Sequence, residues 1–289
     1  MNRRYHVING IDITVEDHGG DGPPVVFVHG LGGSAGNWSM VAPAISDRAH
    51  AVALDLPGHG RSGPARCHDI ATHVGAVARL IDHLDLGPAT VVGNSMGGLV
   101  AELLADAWPE SVRALVLVSP AAPPVELTPA DRAVAVRLLV ESLPGIGRGL
   151  LAWATSRMTA EQQVRETLDV VMAHPERLPE EGYRRAVTLA RLRRTMPWSN
   201  RAFAESAISI RRTLMHRSVY EAMLARISVP VSLIFGSADR VVPPSALRRL
   251  ATSHPDWRAI ELPDVGHTAM LERPDIVAEE IRRRIPSRV

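Results

Sequence analysis

Ser95 stands between two glycines in Gly93-Asn94-Ser95-Met96-Gly97, and the residues flanking that pentapeptide matter more than its letters. Upstream, Ala89-Thr90-Val91-Val92 is short and β-branched, the composition of a buried strand. Downstream, Gly98-Leu99-Val100-Ala101-Glu102-Leu103-Leu104-Ala105 sets good helix formers with apolar residues at helical spacing. A serine at such a strand-to-helix turn is forced into a strained backbone, and only small neighbours let the chain pass so close. Its hydroxyl is then presented at the end of the strand. A serine hydroxyl is a weak nucleophile near neutral pH and needs a base, usually a histidine held in the right tautomer by a carboxylate. The chain has 12 histidines, so position rather than availability selects the base. His267 directly follows a β-type run ending at Leu262, and Asp239 directly follows another, Val231-Ser232-Leu233-Ile234-Phe235, in a turn-forming segment.

Those groups need a scaffold that brings strand ends together. Val25-Val26-Phe27-Val28, His50-Ala51-Val52-Ala53-Leu54, Val91-Val92 and Leu115-Val116-Leu117-Val118 are apolar throughout. Between them lie amphipathic stretches. In one, Ile70, Val74, Val77, Ile81 and Leu84 recur at spacings of three and four behind Asp69 as a cap. Apolar strands alternating with such helices predict a mostly parallel central sheet with helices on both faces. Tyr5 to Asp17 reads as an edge hairpin turning near Asn9-Gly10. The parallel arrangement puts Ser95, Asp239 and His267 at one edge of the sheet.

From about Ala121 to Ser228 the strand signals stop. Thr128-Pro129 with Asp131 reads as a helix start, and Thr159 with Gln162 as a capping box. This stretch carries Trp153, Trp198, Phe203 and the methionines Met158, Met172, Met196, Met215 and Met223. Most of these pack helices together, and adaptable side chains of this kind also suit a lid over an apolar pocket. A last helix is expected from about Asp275.

Composition narrows the classes. With 289 residues and 46% hydrophobic content the chain buries a sizeable core. A net charge of +1, from 32 Lys and Arg against 31 Asp and Glu, gives no electrostatic reason to expect nucleic acid or an anionic membrane. One cysteine, Cys67, excludes an internal disulfide and a cysteine-built zinc site and fits a reducing compartment. The N-terminal residues lack the apolar core of a secretory signal, and no apolar run approaches the ~20 residues of a membrane span. The expectation is a cytoplasmic protein acting on a small molecule, with a homo-oligomer left open.

With the motifs on the page, the chain resembles the α/β-hydrolase superfamily over nearly its whole length. His29-Gly30-Leu31-Gly32-Gly33 resembles that family's oxyanion-hole loop, and Asp55-Leu56-Pro57-Gly58-His59-Gly60-Arg61-Ser62 the loop after the following strand. The family runs its triad as serine, then acid, then histidine. The resemblance therefore implies Ser95 as nucleophile, Asp239 as orienting acid and His267 as base, with the backbone N–H groups of Leu31 and Met96 as oxyanion donors. It implies a core of residues 1–120 and 229–289, a helical cap over 121–228, and no metal or organic cofactor. The serine departs from epoxide hydrolases and haloalkane dehalogenases, which use aspartate. Gly93-Asn94-Ser95-Met96-Gly97-Gly98 is similar to enzymes that cleave carbon–carbon bonds of vinylogous diketones, although Thr268 stands where those carry tryptophan. The leading expectation is hydrolysis of a carboxylic ester through an acyl-enzyme. A carbon–carbon bond hydrolase, a serine perhydrolase and a ligand-binding receptor with a retained triad are the alternatives.

Other groups have duller readings. Asp264 is the rival acid but serves the turn before His267. His29 is structural, His59 a solvated or backbone-bonded loop residue, and Cys67 inert. The run Arg184-Arg185 through Arg191-Arg193-Arg194 is a solvated helix face, from which one arginine can reach a substrate carboxylate.

Overall fold

The computed structural model describes residues 2–123 and 157–286. The strands are β1 (Asn2–Ile8), β2 (Ile11–Asp17), β3 (Pro24–Val28), β4 (His50–Leu54), β5 (Ala89–Asn94), β6 (Val112–Val118), β7 (Val231–Gly236) and β8 (Arg258–Leu262). They form one sheet in the order β1-β2-β4-β3-β5-β6-β7-β8. β2 pairs antiparallel with β1 and with β4, and every other pairing is parallel. The edge hairpin turns at Asn9 (φ 51°) and Gly10 (φ 76°), the left-handed pair a tight hairpin needs.

Side chains on the central strands alternate between two cores. Val26, Val28, Val52, Leu54, Val91, Leu115, Leu117 and Leu233 point to one face. Val25, Phe27, Ala51, Ala53, Val92, Val116, Val118 and Ile234 point to the other. Both faces are dry, which is why these strands read as unbroken apolar runs. The first face is covered by α2 (Ile70–His83) and α3 (Met96–Ala107). The second lies under α1 (Ala42–Ile45) and the last two helices of the chain, which carry Ala269, Met270, Val277 and Ile281. Asp69 caps α2 as expected, its carboxylate accepting Thr72 N–H at 2.8 Å.

Between β6 and β7 the described residues are helical: α4 (Ala160–Val171), α5 (Glu180–Thr195), α6 (Ser199–Met215) and α7 (Arg217–Leu224). The Thr159–Gln162 capping box opens α4. The helix start expected at Thr128-Pro129 and the side chain of Trp153 lie outside the described residues. Met172 and Met223 are buried, whereas Met215 is 68% exposed and packs nothing together. The chain closes with α8 (Pro244–Ser253), α9 (Ala269–Glu272) and α10 (Pro274–Arg284). Among the described residues no helix is long and apolar enough to cross a membrane.

Candidate active site

β5 ends at Asn94, and the chain turns into α3 through Ser95 at φ 54° and ψ −117°. A non-glycine residue at positive φ is strained, and such strain persists only where packing over-determines it. Here the packing is visible. A Cβ on Gly93 would collide with the Gly97 carbonyl, and one on Gly97 would lie 2.6 Å from His29 O. One on Gly98 would lie 2.7 Å from Pro120 Cβ. The glycines let strand and helix touch, and the serine takes the corner. Ser95 is the single residue from Val91 to Val100 that is not buried.

His267 and Asp239 meet at the same sheet edge. His267 Nδ1 lies 2.8 Å from Asp239 Oδ2, while Asp239 Oδ1 accepts N–H groups from Val241 at 2.8 Å and Val242 at 2.9 Å. A carboxylate only accepts, so Nδ1 carries the proton and Nε2 keeps a free lone pair. Asn94 ties this pair to the serine corner. Its buried Nδ2 donates to Val118 O at 2.9 Å and to His267 O at 3.2 Å. Among the described residues Ser95 Oγ and His267 Nε2 make no side-chain hydrogen bond with each other, and in a structure without substrate that does not exclude a pair.

Leu31 and Met96 flank the serine corner, and among the described residues neither backbone N–H has an acceptor. Gly30, beside Leu31, packs so that a Cβ would lie 3.2 Å from Ser95 Cβ. The loop is held from below by His29, whose Nε2 accepts Leu56 N–H at 3.0 Å and whose Nδ1 donates to Gly30 O at 2.7 Å. Burial lowers this imidazole to about 4, so it stays neutral and structural. Asp55 holds the next turn, accepting Ala35 N–H at 2.6 Å and Arg61 N–H at 2.7 Å. Burial pushes its carboxyl up to about 6.

A cavity of about 160 Å³ opens beside this loop, between Gly32-Gly33 and the inserted helices. Its walls are largely apolar, including Val164, Leu168, Leu178, Ala186 and Leu189. Arg193 enters it from α5, donating from Nη1 to Gly32 O at 3.0 Å and from Nε to Ser199 Oγ at 3.3 Å. Burial alone lowers its pKa, and it has no carboxylate partner among the described residues.

The sequence model of the alpha/beta hydrolase fold family matches residues 23–274. The chain belongs to the alpha/beta hydrolase fold family. A pimeloyl-[acyl-carrier protein] methyl ester esterase of Chromobacterium violaceum is 30% identical over 257 residues, 87% of this chain and 90% of that protein. A dihydrolipoyllysine-residue acetyltransferase component of an acetoin cleaving system from Pseudomonas putida is 28% identical over 265 residues, 91% of this chain. The chain spans 63% of the length of that relative. Among solved structures, the meta-cleavage product hydrolase CumD from Pseudomonas fluorescens IP01 shares the fold. It has a TM-score of 0.75 at 19% identity, covering 97% of this chain and 96% of that one.

Within this hydrolase fold, the rival residues fall away from the site. Asp264 is exposed and bonds His174 Nε2 at 2.7 Å and Arg177, not His267. His59 is buried, with Nδ1 3.0 Å from Pro57 O, so it is backbone-bonded and not solvated. Cys67 is exposed. Arg184, Arg191 and Arg194 form the solvated face expected of the arginine run, but Arg193 does not. Its guanidinium donates instead to the Gly32 carbonyl. Sequence reasoning missed Asn94 as a strut and Glu272 as a buried acid. A glutamate a few residues beyond His267 in an otherwise apolar helix start was the available signal.

Proposed function

We propose that the chain hydrolyses a carboxylic ester of a small or medium apolar substrate through an acyl-enzyme. In this scheme Ser95 Oγ attacks the ester carbonyl carbon while His267 Nε2 takes its proton. The N–H groups of Leu31 and Met96 receive the oxyanion, an interaction worth about 2.7–4 kcal/mol of barrier per donor. His267 then returns the proton to the departing alkoxide oxygen. A water attacks the acyl-serine with the same histidine as base, releasing the acid and Ser95. The region 121–228 acts as a cap, in which α4 and α5 give the substrate its apolar walls. The observation that carries the reading is Ser95, half-buried where every neighbour from Val91 to Val100 is buried, beside two backbone donors that have no acceptor among the described residues. The methyl ester esterase among the relatives agrees with it. The single exposed thiol, Cys67, goes with a cytoplasmic setting.

A fluorophosphonate should label Ser95, found by peptide mass, and a short p-nitrophenyl ester should turn over steadily. Label on another residue, or turnover surviving Ser95→Ala, would sink the acyl-enzyme scheme.

Arg193 favours a second reading, cleavage of a carbon–carbon bond in a vinylogous diketone that carries a carboxylate. A half-buried guanidinium with no acidic partner among the described residues is stabilised by an incoming carboxylate. Arg193→Gln is expected to raise KM for such an acid by roughly ten- to a hundredfold while sparing a neutral ester. An equal loss on both substrates would make Arg193 a strut for Gly32 only.

A further inference from the structure

The loop that carries His267 is fastened to inserted helix α4 as well as to the sheet. His267 N–H donates to Val171 O at 2.8 Å, and Thr268 N–H reaches the same carbonyl at 3.2 Å. Thr268 Oγ1 adds a third bond to it at 3.2 Å. The Glu272 carboxylate, with 0% of its side chain exposed, locks the junction. It accepts N–H groups from Gly266 at 2.8 Å, from Ala173 at 3.2 Å and from His174 at 3.1 Å. Arg177 Nη1 stands 3.7 Å away. Gly266 is in such close contact that a Cβ would lie 2.6 Å from Ala173 N and 2.8 Å from Val171 O.

A buried carboxylate is costly unless donors meet it. The donors here come from two segments far apart in the chain, so they meet Glu272 together only while α4 and the histidine loop are in register. The same helix walls the cavity through Val164, Thr167, Leu168 and Val171. Pressure on those side chains therefore reaches the peptide of His267 through one carbonyl.

We propose that Glu272 is a positioning residue for His267, and that through it α4 converts the filling of the cavity into correct placement of the base. This rests on the esterase reading above. A substrate long enough to press on α4 gains in kcat, because a displacement near 1 Å at the reacting groups costs about a hundredfold. A purely structural Glu272 would lower stability and leave that dependence on chain length alone.

The test compares p-nitrophenyl acetate with p-nitrophenyl hexanoate on wild type, Glu272→Gln and Gly266→Ala, with melting curves for each. Wild type should show a kcat for hexanoate about tenfold above that for acetate. Glu272→Gln keeps the shape but turns an amide NH2 toward a backbone N–H. It should erase that difference while KM for hexanoate stays within about twofold. Gly266→Ala, which separates the segments from the other side, should do the same. Folded variants that keep the wild-type kcat ratio overturn the proposal, and so does a variant effect confined to KM. A flat kcat across the two esters in wild type overturns it without any variant. If wild type hydrolyses neither ester, the esterase reading fails and takes this proposal with it. Turnover lost in Ser95→Ala but indifferent to chain length overturns this proposal alone.

Discussion

Asp239→Asn is expected to lower kcat by about four orders of magnitude while the protein stays folded. The geometry dictates which way the new amide turns. Asp239 Oδ1 lies under the N–H groups of Val241 and Val242, at 2.8 and 2.9 Å, so the asparagine oxygen stays there. Its Nδ2 is then left facing His267 Nδ1, where the carboxylate oxygen stood at 2.8 Å. Two donors cannot share that line, so His267 gives up the Nδ1 proton and carries it on Nε2. An imidazole protonated on Nε2 cannot take the Ser95 proton. The loss is in tautomer and not in packing, so the melting temperature should barely move while ester turnover collapses. Asp264→Asn is the control. That carboxylate is exposed, bonded to His174 and Arg177, and its loss should leave kcat little changed. An Asp239→Asn enzyme within about tenfold of wild type would remove Asp239 from the mechanism, whatever its distance from His267.

Much of the fold is legible in the sequence. The runs at Val25–Val28, His50–Leu54 and Val231–Phe235 announced parallel strands because both sheet faces are covered and no polar alternation survives. Asp69 and Thr159 announced helix starts because capping is a local bond, made within three residues. The Ser95 corner was legible for the same reason: its strain and its small neighbours lie within a pentapeptide. What stayed hidden depends on elements far apart in sequence. Glu272 meets donors at Ala173 and His174, and Asn94 meets the carbonyl of His267. Arg193 looks like its solvated neighbours until Gly32 is folded against it. Periodicity assigns a side chain to a helix face, and only packing says what that face meets.

The buried pair between α3 and α7 is a case of that kind, and it carries the second large effect. Tyr220 Oη donates to Glu102 Oε2 at 3.0 Å, and Oε1 has no partner among the described residues. Glu102 is 0% exposed. Burial pushes its carboxyl from the ordinary 4.5 up to about 8, against the hydrogen bond from Tyr220, which favours ionisation. The folded state thus holds this proton more tightly than the unfolded chain does. The stability that goes with it is complete below about pH 4.5 and is lost as pH rises toward and through about 8. At about 1.4 kcal/mol for each pH unit between those values, the loss amounts to a few kcal/mol.

Glu102→Gln keeps an oxygen for Tyr220 and has no proton to lose. Near pH 5 the variant and wild type should melt at similar temperatures. By about pH 9 the variant should melt higher by several degrees, since 1 kcal/mol shifts a domain of this size by roughly 2–4 °C. Parallel melting curves across that range would show that the carboxyl does not titrate as its burial requires. The pair also bears on the site, because α3 begins with the Met96 amide and α7 is one of the inserted helices. Ionising Glu102 leaves an uncompensated charge where the two helices meet and drives them apart, whereas glutamine keeps them together. Turnover lost at high pH by wild type but retained by Glu102→Gln would trace alkaline inactivation to this helix contact. The same loss in both proteins would place it at another group.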